Sequence, residues 1–193
     1  MHSLNGQLLV IDVEASCWRG HPPPGEQNEI IEIGVCLLEP GQEEPLEARS
    51  ILVQPQRSKI SPFCTRLTSI TPEMAAQGLL FEAACDLLRR EYDSRHVAWA
   101  SWGRDDRHLF EQQCASFQVD YPFSARHYDL RRAFALAQRT DRSVKAHQVG
   151  LMKALALMDL SYEGTVHRGV DDAFNTARLL RAMFQQYGED ILD

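Results

Sequence analysis

Asp12-Val13-Glu14 closes the apolar run Leu8-Leu9-Val10-Ile11. If that run is a β-strand, the two-residue spacing sends both carboxylates to one face. Two adjacent anions repel. Either the pair is solvated at a strand end, or a divalent cation offsets it, because hard cations take oxygen ligands. Two later segments carry further acids. Ala100-Ser101-Trp102-Gly103-Arg104-Asp105-Asp106 leaves an apolar stretch, turns at Gly103 and opens a helical pattern. A carboxylate there either caps the helix or stands at the carboxyl end of a strand, where α/β sheets place their sites. His167-Arg168-Gly169-Val170-Asp171-Asp172 precedes an amphipathic stretch bearing Ala177, Leu180, Met183 and Phe184. One of its acids can cap that helix, and the second needs another explanation. A histidine there is either polar packing or a proton acceptor, and an ordinary pKa of about 6.5 suits the second task.

The elements that must position these groups follow from patterning. Leu8–Val13 and Glu29–Leu38 read as strands, with a Pro22-Pro23-Pro24-Gly25 loop between them that neither helix nor strand accepts. Ile51–Val53 is the centre of a third strand, giving an antiparallel three-stranded start. Ser61-Pro62 and Thr71-Pro72-Glu73 signal helix starts, with Pro at the first helical position. Phe81–Tyr92 follows as a helix, His96–Ala100 as a short strand, Asp106–Phe117 as a helix with Leu109, Phe110 and Cys114 on one side, and His127–Asp129 as a brief strand. Helices over 130–138, 146–158 and 171–187 close the chain. Three strands, then alternation, then helices predict one α/β domain over residues 1–193, with a mixed sheet flanked by helices.

Composition narrows the classes. The chain has 193 residues, 44% hydrophobic and 24% charged, as expected of a globular domain with a sizeable core. No apolar stretch approaches the roughly 20 residues needed to cross a bilayer, and Met1 leads into polar residues without a basic secretory signal, so no membrane association is expected. Cys17, Cys36, Cys64, Cys85 and Cys114 form no CxxC pair and read as reduced thiols, which makes the cytoplasm the expected compartment. A net charge of −7 argues against bulk electrostatic retention on nucleic acid. Between Arg126 and His147, however, six Lys/Arg face two acids. That stretch is either a solvated helix face or a track for a polyanion.

Five segments, in order, carry a resemblance over nearly the whole chain: Asp12-Val13-Glu14-Ala15-Ser16-Cys17-Trp18; Asn28-Glu29-Ile30-Ile31-Glu32; Phe63-Cys64-Thr65-Arg66-Leu67-Thr68-Ser69-Ile70-Thr71; Ser101-Trp102-Gly103-x-x-Asp106; and His167-x-Gly169-Val170-Asp171-Asp172-x-x-Asn175-x-Ala177. Together they resemble the DEDDh family of 3′→5′ exonucleases, and within it the Eri-type branch that trims RNA 3′ ends and its KapD-like bacterial relatives. The resemblance implies the ribonuclease H-like fold, with a five-stranded mixed sheet. It assigns Asp12, Glu14, Asp106 and Asp172 as the four acids and His167 as the histidine. Motif spacing selects Asp106 over Asp105 and Asp172 over Asp171.

The implied chemistry is hydrolysis of phosphodiester bonds from the 3′ end of single-stranded nucleic acid, RNA ahead of DNA, releasing nucleoside 5′-monophosphates. The implied cofactors are two Mg²⁺ or Mn²⁺ ions, which stabilise attacking and leaving oxygens. Asp12 is expected to bridge them, Glu14 and Asp172 to complete one site, Asp106 to hold the other, and His167 to act as general base, with Gly169 in a turn that frees the imidazole. In the family, the segment matching Leu67-Thr68-Ser69-Ile70-Thr71 lies against the terminal nucleotide. Leu67 and Ile70 are expected beside the base and backbone amides at the 3′-hydroxyl, with Ser69 standing where Gly is common. Trp18 and Trp102 are candidates either for base stacking or for the core, and Trp99 for the core. Arg139 and Arg142 are candidates for the incoming strand. Two alternatives remain: a DNA exonuclease of proofreading or repair type, and a catalytically quiet nucleic-acid-binding module, against which the intact acid set speaks.

Overall fold

Alternation along Leu8–Ile11 requires two covered faces, because apolar side chains leave this strand in both directions. The computed structural model describes residues 6–39, 47–138 and 147–192. Strands β1 (Leu8–Ala15), β2 (Ile30–Leu38) and β3 (Glu47–Leu52) are antiparallel. Strands β4 (Ala98–Ser101) and β5 (His127–Asp129) add in parallel on the other side of β1, giving the order β3-β2-β1-β4-β5. The expected mixed five-stranded sheet is present.

Leu9 and Ile11, with Ile33, Val35 and Trp99, pack under helices α3 (Phe81–Glu91) and α4 (Asp105–Phe117), against Phe81, Leu88 and Phe110. Leu8 and Val10, with Cys36, Leu38 and Ala100, face the opposite layer, where Ala173, Ala177 and Leu180 of α7 (Gly169–Tyr187) cover them. Helices α5 (Leu130–Ala137) and α6 (Leu151–Leu157) extend that layer through Phe134, Leu155, Leu179 and Met183. The same alternation carries Asp12 and Glu14 onto the α7 face, directly beyond Leu8 and Val10.

Two short helices form a wall beside the carboxyl end of β1. Ser61 caps α1 (Pro62–Thr68) by accepting the Cys64 N–H at 3.0 Å, and Thr71 caps α2 (Pro72–Ala76) by accepting the Met74 N–H at 3.2 Å. Cys64, Ile70 and Ala75 bury against Ile31 and Ile60.

Some boundaries move. β4 starts at Ala98 because His96 and Val97 are held in a turn by hydrogen bonds from their N–H groups to the Asp93 carbonyl. α6 starts at Leu151, after extended Gly150, and α7 at Gly169, two residues before the expected 171. All five cysteines are free, and no helix among the described residues is long and apolar enough to cross a membrane.

Candidate active site

The site begins where the apolar stripe of β1 becomes acidic. In the ladder Asp12 lies opposite Gly34, and Glu14 opposite Glu32. A Cβ on Gly34 would lie 1.8 Å from the Gly169 carbonyl oxygen, and one on Gly169 would lie 3.2 Å from the Asp12 carbonyl oxygen. Missing side chains therefore let the first turn of α7 rest on the β1–β2 backbone, which brings Asp172 to Asp12 and Glu14. Gly169 is thus a buried contact point at the start of a helix, not the turn expected to free His167. Asp106 arrives from the other layer. β1 pairs with β4 only as far as Val10, and Asp106 Oδ1 accepts the Val13 N–H beyond that point at 3.0 Å.

Ligand atoms of Glu14, His167 and Asp172 all lie within 4.8 Å of one another. Burial, followed by the charges of Asp106, Asp172 and Glu14, holds Asp12 well above the ordinary carboxylate range. Burial also pushes Glu14 up to about 8, reinforced by Asp172 and Glu32 and opposed by Arg168. Asp106 rises to about 6 because burial outweighs its bond from Val13. Asp172 is raised by burial against the lowering influence of Tyr162 and His167. Among the described residues, no hydrogen-bond donor reaches the carboxylates of Asp12 or Glu14. A cluster of hard oxygen donors with uncompensated negative charge fits divalent cations.

The segment before α7 holds His167 tightly. Asp172 accepts the Tyr162 hydroxyl at 2.8 Å on Oδ1 and the His167 backbone N–H at 3.1 Å on Oδ2. Asp171 accepts the Thr165 N–H at 2.8 Å, and buried Asn175 donates to the Glu163 and Asp171 carbonyls, both at 2.7 Å. His167 itself has φ 63°, the left-handed region that a non-glycine residue adopts only under constraint. The constraint is completed by Glu32. Fully buried, it accepts Arg168 Nε at 3.1 Å and Nη2 at 2.9 Å, the Gly169 N–H at 2.8 Å and the Ser50 hydroxyl.

The sequence model of the exonuclease family RNase_T matches residues 9–180. The chain belongs to the RNase_T exonuclease family. Its relatives include human 3'-5' exoribonuclease 1, 28% identical over 189 residues, which cover 92% of this chain and 52% of the relative. The probable 3'-5' exonuclease KapD of Bacillus subtilis is 27% identical over 182 residues, covering 92% and 84%. The chain therefore spans about half the length of the exoribonuclease 1 relatives it matches. Among solved structures, the nuclease domain of 3'hExo, a DEDDh family member bound to rAMP, superposes with a TM-score of 0.82 at 26% identity, covering 95% of this chain and 94% of that one. The fold is that of a DEDDh exonuclease domain, ribonuclease H-like, with the five-stranded mixed sheet described above.

Within this exonuclease domain the expected substrate residues separate. Leu67 is 38% exposed on α1, whereas Ile70 is fully buried against Ile31 and Cys64. Ile70 is a core residue, which corrects its expected place beside a base. Buried Thr68 turns its hydroxyl to the Cys64 carbonyl and accepts the Ile70 N–H, while the Ser69 N–H bonds Thr65. Of the backbone amides of this segment, expected at a 3′-hydroxyl, those of Ser69 and Ile70 are thus occupied internally. Ser69 caps α1 in the left-handed region, φ 63°, a conformation glycine adopts without strain. Trp99 is in the core. Trp102 is half-buried, with its ring 5.9 Å from Phe134 and its indole N–H donated to Val149 at 3.2 Å, which is a packing role. Trp18 is half-buried just after β1. Arg139 and Arg142 lie outside the described residues.

Sequence reading missed Tyr162 and the role of Glu32. Tyr162 belongs to no motif. Glu32 lay inside a quoted segment, but its partners Arg168 and Gly169 are 136 and 137 residues away.

Proposed function

We propose that this chain is a divalent-metal-dependent 3′→5′ exonuclease acting on single-stranded RNA and releasing nucleoside 5′-monophosphates. The observation that carries this reading is the convergence of Asp12, Glu14, Asp106 and Asp172 around one strand end, with His167 at the rim and, among the described residues, no donor on the two central carboxylates. Two Mg²⁺ or Mn²⁺ ions held by those four acids would supply the charge that lowers the barrier to attack on an anionic phosphodiester.

The chain's own residues carry the remaining work. His167 accepts the proton of the attacking water, and its backbone bond to Asp172 fixes where the imidazole stands. Tyr162 orients the Asp172 carboxylate from behind. Leu67, the exposed apolar residue on α1, abuts the terminal base, and half-buried Trp18, in the segment that leaves β1, stacks on a neighbouring one. The preference for RNA is supported by the RNA-directed relatives, including the one solved with rAMP.

Matched RNA and DNA oligomers test the substrate, and His167→Ala tests the mechanism. The expected result is faster degradation of RNA and a fall in kcat of roughly 10²–10⁴-fold in the variant, with KM little changed. Equal rates on DNA would transfer the chain to the DNA-directed reading. Full activity of folded His167→Ala would remove the proposed base.

A further inference from the structure

The geometry points to a second element of substrate binding: the crevice between α4, β5 and α5 binds backbone phosphates of the strand upstream of the cut, through Arg104 and Arg132. This inference rests on the exonuclease reading above. The crevice measures about 520 Å³ and is lined by Arg104, Arg107, His127, Tyr128, Asp129 and Arg132 among others. It opens at the carboxyl ends of β4 and β5, the same end of the sheet as the β1 acids. One short segment joins the two places: Ser101 Oγ shares a 2.8 Å hydrogen bond with His127 Nε2 and donates to the Gly103 carbonyl at 2.9 Å, on the turn that leads into Asp106.

The charges inside the crevice are only partly matched. Arg107 is taken by Glu111 at 2.8 Å. Asp129 is engaged in capping α5, where its Oδ1 accepts the Arg132 N–H at 2.9 Å. Exposed Arg104 and Arg132 have no ion-pair partner among the described residues. His127, on the crevice wall, is pushed down to about 4 by burial first and then by Arg107 and Arg104, against Asp129. A chain of net charge −7 with clustered acids at its reactive centre repels a polyanion. Attraction must be supplied locally, and a cleft with these two guanidinium groups at the same end of the sheet as the acids supplies it. On this arrangement a dinucleotide should be held by the reactive centre alone, whereas a longer strand should engage the cleft as well.

The test compares a dinucleotide with a dodecamer of single-stranded RNA, using wild type, Arg104→Ala/Arg132→Ala and Arg104→Glu/Arg132→Glu. With Mn²⁺, the alanine pair should raise KM for the dodecamer roughly fivefold and leave kcat unchanged. It should leave both constants unchanged for the dinucleotide, and the glutamate pair should raise the dodecamer KM further. The salt slope of dodecamer binding should fall by about 1.4, about 0.7 for each phosphate no longer neutralised. Binding of a labelled dodecamer in EDTA gives a readout independent of turnover, and the same rise in Kd is expected there. An unchanged Kd, or equal KM changes at both lengths, would overturn the crevice. Absence of turnover in wild type, with Kd still responding to the arginines, would overturn the exonuclease reading alone.

Discussion

Four acids stand at one end of the β1–β2 ladder, Glu29 one residue before β2, and they divide into two kinds. Glu29 and Glu32 are buried and saturated: Glu29 accepts the Gln56 and Arg57 backbone N–H groups at 2.7 and 2.8 Å, and Glu32 accepts Arg168, Gly169 and Ser50. Asp12 and Glu14 have no donor among the described residues, and burial together with neighbouring acids raises both. The first pair are braces, whose charge is matched by the fold. The second pair carry charge the fold does not match, as a site for cations requires. Acidity does not separate the two; the donors do, and they allow Glu29 and Glu32 full burial where Asp12 and Glu14 stay half-buried.

The largest effect expected from this contrast is on activity. Asp12→Asn should cut kcat by roughly 10³-fold or more, yet leave the metal-free protein at least as thermostable, because a repelled charge is removed. The rise in Tm that Mn²⁺ gives wild type should vanish. A large Tm loss in metal-free Asp12→Asn would break the comparison by making Asp12 a brace. Glu32→Ala is the converse. Removing one partner of a buried pair strands Arg168 and the Gly169 amide, at a cost of about 3–5 kcal/mol, readable by urea unfolding without metal. Glu32→Ala with wild-type stability would show that saturation carries no weight.

pH sharpens the contrast further. A carboxyl raised in the folded state binds its proton more tightly there than in the unfolded chain. Its stabilising contribution is therefore complete below the unfolded value of 4.5 and is lost as pH rises through about 8 for Glu14. Metal-free wild type should lose Tm relative to Glu14→Gln across that window, and saturating Mn²⁺ should abolish the loss, because cations favour the ionised acids. A flat difference between the two metal-free proteins would contradict the assigned environment of Glu14. The smallest effect concerns the wall, not the acids. Ser69→Gly should relieve the left-handed cap of α1 and raise stability by roughly 1 kcal/mol, about 2–4 °C in Tm. An unchanged Tm would mean that the backbone there carries no strain.

That the acids and the histidine would meet was legible because each lies in a short spacing tied to one element: a two-residue step on β1, the start of α4, the approach to α7. The antiparallel start and the mixed sheet flanked by helices followed from the strand and helix patterns for the same reason, whereas the strand order did not. Ile70 was not legible, since a residue between two short helices gives no periodicity to tell a wedge from a core side chain. Gly169 was misread because its contact with Gly34 is between backbones far apart in sequence. Glu32 and Tyr162 were missed because their function lies in hydrogen bonds to α7 and its preceding loop, which no local pattern records.

The central claim is that Asp12, Glu14, Asp106 and Asp172 form a cation site that cuts RNA from its 3′ end. It is tested most directly by incubating 5′-labelled single-stranded RNA with the protein and Mn²⁺, with and without excess EDTA. The account predicts a ladder of labelled products shortening stepwise from the 3′ end, present with Mn²⁺ and absent with chelator. A ladder indifferent to EDTA, or label released first as a mononucleotide from the 5′ end, would contradict it.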